Sequence, residues 1–133
     1  GWLGTEYLEA VRSVDADLAA IVSTIEGKPG LRDRVTILLT ADHGGKLGLK
    51  RHDDMTQLAN YRIPFIAWGR GVAPRADLYR LNAERTDPQI ARPDYEGRQP
   101  VRNIDIADTA LTLLGLPVIS EATASSWPAL ALD

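Results

Sequence analysis

No cysteine occurs anywhere in the chain. Disulfides and thiolate metal centres are therefore excluded, and the protein is chemically compatible with either redox environment. No hydrophobic run approaches the roughly 20 residues that a membrane-spanning helix requires, and no signal peptide begins at Gly1. An excess of positive charge is also missing. The net charge is −3, so the chain carries no electrostatic signature for nucleic acid. Arginines are nonetheless frequent between Arg51 and Arg102, enough for a local basic surface. Histidine is scarce, with two in the whole sequence, and their placement is correspondingly informative. What is present suits one globular domain: 133 residues, 44% hydrophobic and 25% charged. The chain opens on Gly-Trp-Leu-Gly without an initiator methionine and reads as an internal stretch of a longer protein.

Residues 6–26 carry apolar side chains at helical spacing, at Tyr7, Leu8, Val11, Val14, Leu18, Ile21, Val22 and Ile25. They predict an amphipathic helix that packs on a core, with Thr5 as N-cap and Gly27, Pro29 and Gly30 as the stop. Arg34–Thr40 contains the apolar run Val35-Thr36-Ile37-Leu38-Leu39. Such a run predicts a strand buried on both faces. Residues 61–69 predict a second strand, in which Pro64 delays the start, marks an edge or forces a bulge. The first helix leading into the first strand suits a crossover in a parallel sheet. Residues 70–100, rich in Gly, Pro, Arg and Asp, predict an irregular excursion with a short hairpin near Leu78–Leu81. Asn103 or Asp105 can cap a last helix with the stripe Ile104, Ala107, Ala110, Leu111 and Leu114, ended by Gly115 at C′ and Pro117. In the tail, Trp127 is the expected anchor.

The chemistry concentrates just beyond the first strand. Residues 40–52 read Thr-Ala-Asp-His-Gly-Gly-Lys-Leu-Gly-Leu-Lys-Arg-His. Ligands collect where the strands of open α/β sheets end, and this window holds both histidines. A carboxylate and two imidazoles can hold a divalent cation such as zinc, with manganese or iron also compatible. Asp42, His43 and His52 are therefore the candidate metal ligands. Asp53 and Asp54 flank His52 and could orient an imidazole, although solvated acids are the commoner outcome. Lys46, Lys50 and Arg51 could meet an anionic substrate or simply face water. Gly44 and Gly45 permit close backbone approach and unusual dihedral angles.

Three stretches together resemble the C-terminal part of the alkaline phosphatase superfamily. They are Leu-Thr-Ala-Asp-His-Gly-Gly with the later His52, Tyr-Arg-Ile-Pro-Phe-Ile-Ala-Trp-Gly-Arg-Gly-Val, and Asp-Ile-Ala-Asp-Thr-Ala-Leu-Thr-Leu-Leu-Gly-Leu-Pro. Within it, the type I phosphodiesterase/nucleotide pyrophosphatase and sulfatase-like branch is the nearest in pattern. The resemblance runs from the opening helix to about Pro117. It implies a three-layer α/β/α sandwich with a mostly parallel sheet, of which residues 1–133 form the C-terminal portion. It also implies two divalent metal ions, Asp42 and His43 serving one and His52 the other. Substrates would be small phosphate or sulfate esters, and the location periplasmic or secreted. The remaining ligands, an Asp-x-x-x-His element and a Ser or Thr nucleophile, have no match here. Thr40 and Thr56 are the nearest hydroxyls, and neither sits at the nucleophile's place. The resemblance thus implies an enzyme portion that needs the N-terminal part of the same domain and is inactive alone. Two other readings compete: a sulfatase or phosphomutase-type member, and a metal-free binding module in which the Asp-His pair only hydrogen-bonds within its loop.

Overall fold

A computed structural model describes residues 1–90, 96–119 and 128–133. Its contacts divide the chain into two units, Gly1–Val35 with His43–Ile63, and Thr36–Asp42 with Pro64–Asp133. Among the described residues, no helix is long and apolar enough to cross a membrane.

The first unit is led by α1, Thr5–Glu26. Gly4, in extended conformation, occupies the N-cap, so the expected cap Thr5 is instead the first helical residue, and Glu6 supplies the favourable charge of the first turn. Gly27 ends the helix, its N–H donating to the Ser23 carbonyl at 2.9 Å. Pro29 and Gly30 do more than stop it. They open a one-turn helix, α2, Pro29–Arg32. Proline suits that first position, where its missing N–H costs nothing. The apolar stripe of α1 is not the core face expected of it. Within that stripe only Ile25 is buried, while Val11, Val14 and Ile21 are about half exposed.

The second unit contains β1, Thr36–Thr40, and β2, Phe65–Gly69. They pair antiparallel, with Thr36 opposite Gly69, Leu38 opposite Ala67 and Thr40 opposite Phe65. The mostly parallel sheet expected from the sequence is therefore not what these two strands form. The reason lies in their connection. Between residues 41 and 64 the only regular element is a 3₁₀ turn at Leu58–Asn60. Parallel neighbours need a crossover that carries the chain back along the sheet, usually a helix, and here none intervenes. β2 does start directly after Pro64, as expected. Hydroxyls brace both ends of the pair: Thr36 donates to the Arg70 carbonyl at 2.6 Å and Thr40 to that of Pro64 at 2.8 Å. β1 is half-buried along its whole length rather than buried on both faces.

Leu78–Leu81 forms a helical turn, α3, not a hairpin. The Asp77 carboxylate accepts from the N–H groups of Tyr79 and Arg80 at 2.8 and 3.2 Å, an N-cap that commits the segment to helix. The last helix, α4, spans Asp105–Leu113 and packs on β1. It ends as the sequence suggests. Gly115 adopts a left-handed φ of 67°, Gly115 N–H meets the Thr112 carbonyl, and Leu116 N–H meets that of Leu111. That pairing is a Schellman motif.

The buried face of α4 is not its apolar stripe. It carries Asp105 and Thr109, 3% and 1% exposed. Asp105 receives the buried Arg85 guanidinium at 3.1 Å, and its other oxygen accepts from the Arg102 N–H at 2.7 Å. The Thr109 hydroxyl accepts from the Leu130 N–H at 3.2 Å and donates to the Asp105 carbonyl at 2.7 Å. The C-terminal segment 128–133 is held here. Asn82 donates to the Ala131 carbonyl and accepts from the Ala131 N–H, at 3.0 and 2.8 Å. Leu130 and Leu132 are buried beside it. The anchor expected of the tail, Trp127, lies outside the described residues.

Candidate functional site

The window after β1 begins with Asp42, an exposed residue in the second unit. Its backbone carbonyl accepts from the Asn103 side-chain amide at 2.8 Å. The Asp42 carbonyl belongs to the peptide unit that leads on to His43, so this bond fixes the plane of that peptide.

His43 and His52 both belong to the first unit. Their rings stack with centroids 3.9 Å apart and an interplanar angle of 24°. Two residues nine positions apart can meet this way only if the loop between them folds back on itself, and it does. Gly48 takes a left-handed φ of 75°. Leu49 N–H donates to the Lys46 carbonyl at 3.1 Å, and Lys46 N–H to that of Arg51 at 3.3 Å.

The two glycines next to His43 act through their lack of a side chain. Both are buried. Gly44 N–H donates to the Asn60 carbonyl at 2.8 Å and Gly45 N–H to that of Ala59 at 3.1 Å. A methyl group at Gly44 would strike the Ala59 carbonyl, and one at Gly45 would overlap the Trp2 indole. Neither has the left-handed φ that the sequence allowed for; close approach is the requirement.

His43 is half-buried and its Nδ1 lies 2.7 Å from the Gly44 carbonyl oxygen. A carbonyl only accepts, so Nδ1 carries the proton and donates. In that tautomer Nε2 is the acceptor nitrogen of the ring. A backbone carbonyl that fixes the tautomer in this way is the usual support of a metal-binding imidazole. The donor chemistry of His43 and His52 therefore fits a divalent cation. Among the described residues, however, no three His, Cys, Asp or Glu side chains gather into a metal-holding group.

The flanking charges brace the loop. The Asp54 carboxylate accepts from Lys46 at 3.0 Å, and from the Thr56 hydroxyl and N–H at 2.6 and 3.1 Å. These donors, the Thr56 hydroxyl first, hold its pKa down to about 2 against an ordinary 3.8. Lys46 is thus the partner of an acid on its own loop. Asn60, buried in the 3₁₀ turn, donates to the Asp54 carbonyl at 2.6 Å. Both nearby hydroxyls have partners: Thr40 donates to the Pro64 carbonyl and Thr56 to the Asp54 carboxylate. Two of the arginines between 51 and 102 serve the fold: Arg85 pairs with Asp105, and Arg98 donates to the Ala83 carbonyl at 2.9 Å.

Sequence reasoning missed Trp2. Its indole lies against Gly45 and turns its edge toward His43, with centroids 6.3 Å apart and planes at 63°. Tyr7 also lies against it, with ring centroids 5.1 Å apart. Nothing local marks this residue; only the unexplained second glycine after His43 hinted at a bulky neighbour.

Compared with known proteins, no curated protein and no solved structure matches the chain. A family model does. It is described as Sulfatase and covers residues 4–116, from the first residues of α1 through β1, the histidine loop and β2 to the turn that ends α4. With most of its length matched in one continuous stretch, the chain belongs to the Sulfatase family.

Proposed function

We propose that this chain is the C-terminal portion of a two-metal hydrolase of phosphate esters or phosphodiesters, built on a three-layer α/β/α domain with a mostly parallel sheet. Sulfate esters are the second reading, and the family match supports it equally. The observation that carries the proposal is the His43–His52 stack, 3.9 Å between ring centres. The stack places two imidazoles side by side, so that each can serve a separate cation. The spacing is close to the roughly 3.5–4 Å between cations in two-metal sites.

In this proposal Asp42 and His43 hold one cation and His52 the other, while the remaining ligands and a Ser or Thr nucleophile come from polypeptide outside this sequence. Bound divalent cations, zinc by preference, would supply charge neutralisation on the ester oxygens and a more acidic attacking hydroxyl. The chain's own residues supply placement. Gly44 N–H and Gly45 N–H seat the loop on the 3₁₀ turn, the Gly44 carbonyl sets the His43 tautomer, and Asn103 fixes the peptide after Asp42.

The test is metal analysis and ester hydrolysis by the intact protein. About two divalent ions per chain are expected, with loss of metal and of hydrolysis in Asp42→Ala, His43→Ala and His52→Ala. Parallel assays with a phosphate monoester, a phosphate diester and a sulfate ester separate the two substrate readings. A fully folded, metal-free intact protein whose stability ignores chelators would support a binding module instead.

A further inference from the structure

We infer that Trp2 is a positioning residue for the His43–His52 pair. It would act as the wedge that keeps the loop closed and both imidazoles together. The inference rests on the cation-binding role proposed for the two histidines.

Four observations on the first unit carry it. The backbone of Trp2 is stitched to the far side of the loop. Trp2 N–H donates to the Leu49 carbonyl, and the Trp2 carbonyl accepts from Gly48 N–H, both at 2.9 Å. Together with a parallel bridge to Leu47, these bonds make residue 2 a strand stub along 47–49. The side chain grips the near side of the same loop, where the indole fills the space over Gly45 that a methyl group would need. The ring stands edge-on to His43, which in turn stacks on His52. Tyr7, in the first turn of α1, contacts the indole with ring centroids 5.1 Å apart, so the helix also touches the wedge.

One residue thus touches both arms of the loop that joins the histidines. His52 is exposed and His43 half-buried. A short loop containing three glycines is costly to order. Aromatic contacts of this kind offset part of that cost. The family match begins at residue 4, so Trp2 lies ahead of the matched stretch.

The experiment is zinc titration of the intact protein by calorimetry, with far-UV circular dichroism and apo-protein melting as folding controls. Trp2→Ala is expected to weaken zinc binding by about tenfold, the lower end of what supporting residues around metal ligands contribute. Trp2→Phe, which keeps an aromatic edge, should recover most of that loss. Gly45→Ala should weaken binding on its own, because its methyl group displaces the indole. Added to Trp2→Ala it should cost nothing more, since the space is then free. That non-additivity is the signature of direct packing. Should Trp2→Ala fail to fold, Trp2→Phe and Gly45→Ala decide the matter. Unchanged zinc affinity in folded variants, or a lower melting temperature with no change in affinity, overturns the positioning role alone. Absence of zinc binding in the unmutated protein overturns the cation reading and this inference with it.

Discussion

Asp54 shows how one carboxylate can organise a loop. Its oxygens receive Lys46 and both donors of Thr56, and the charged form is favoured accordingly. The folded pKa of about 2 lies below the ordinary 3.8. The folded state therefore binds this proton less readily than the unfolded chain. Its contribution to stability is complete above the ordinary carboxylate range, and fades as pH falls from about 4 toward about 2. Asp54→Asn should be less stable than the unmutated protein at neutral pH, and the gap should narrow on acidification through that window. Thermal melts of both proteins at several pH values measure it; a gap that stays constant down to pH 2 would contradict the assignment. Tyr79 titrates in the opposite direction, its phenol pushed up chiefly by burial.

The residues also differ in how far the sequence reveals them. Asp42, His43 and His52 could be singled out because a strand run ends beside them and the chain has no other histidine. The structure brings His43 and His52 together. Trp2 could not be singled out, because its partners in the histidine loop lie more than forty positions away and no periodicity connects them. Asp54 was equally ambiguous, its role depending on whether Lys46 or solvent faces it.

Among the elements, those governed by local chemistry were legible. Gly115 and Pro117 mark the end of α4, and Pro64 marks the delayed start of β2. α3 was misread because a single Asp cap outweighs a composition that resembles a turn. The direction of β2 could not be read locally, because it follows from what the connection lacks. The buried face of α4 was misread for a third reason. Asp105 and Thr109 are polar, and their burial makes sense only with Arg85 and the C-terminal segment in place. That segment supplies an element-level prediction. Asn82→Ala leaves both backbone groups of Ala131 without their side-chain partner, and should destabilise the second unit by about 2–4 kcal/mol. Denaturant melts followed by hydrogen exchange at Leu130 and Ala131 would register it. Arg85→Met leaves the buried Asp105 carboxylate with Arg102, at 3.6 Å, as its remaining cationic partner, and should cost at most about 3–5 kcal/mol, measured in the same melts.

At the scale of the molecule, the described residues bury few hydrophobic side chains: Ile25, Leu130 and Leu132. Much of the α1 stripe meets solvent instead, with Val14 at 58% and Ile21 at 53%. An apolar stripe of that extent marks a surface that binds something. The 133-residue polypeptide should accordingly bind a hydrophobic dye such as anilinonaphthalene sulfonate, and Val11→Glu with Val14→Glu should suppress the fluorescence. Loss of signal without loss of helix content in circular dichroism is the expected pair of results.

The grip of Asn82 on Ala131, with the Leu132 carbonyl accepting from Ala73 N–H at 2.6 Å, has a practical corollary. A purification handle or fluorophore joined directly after Asp133 would pull on the two leucines seated beside α4. A flexible spacer of several glycines and serines would let the last residues stay docked while the appended group moves freely.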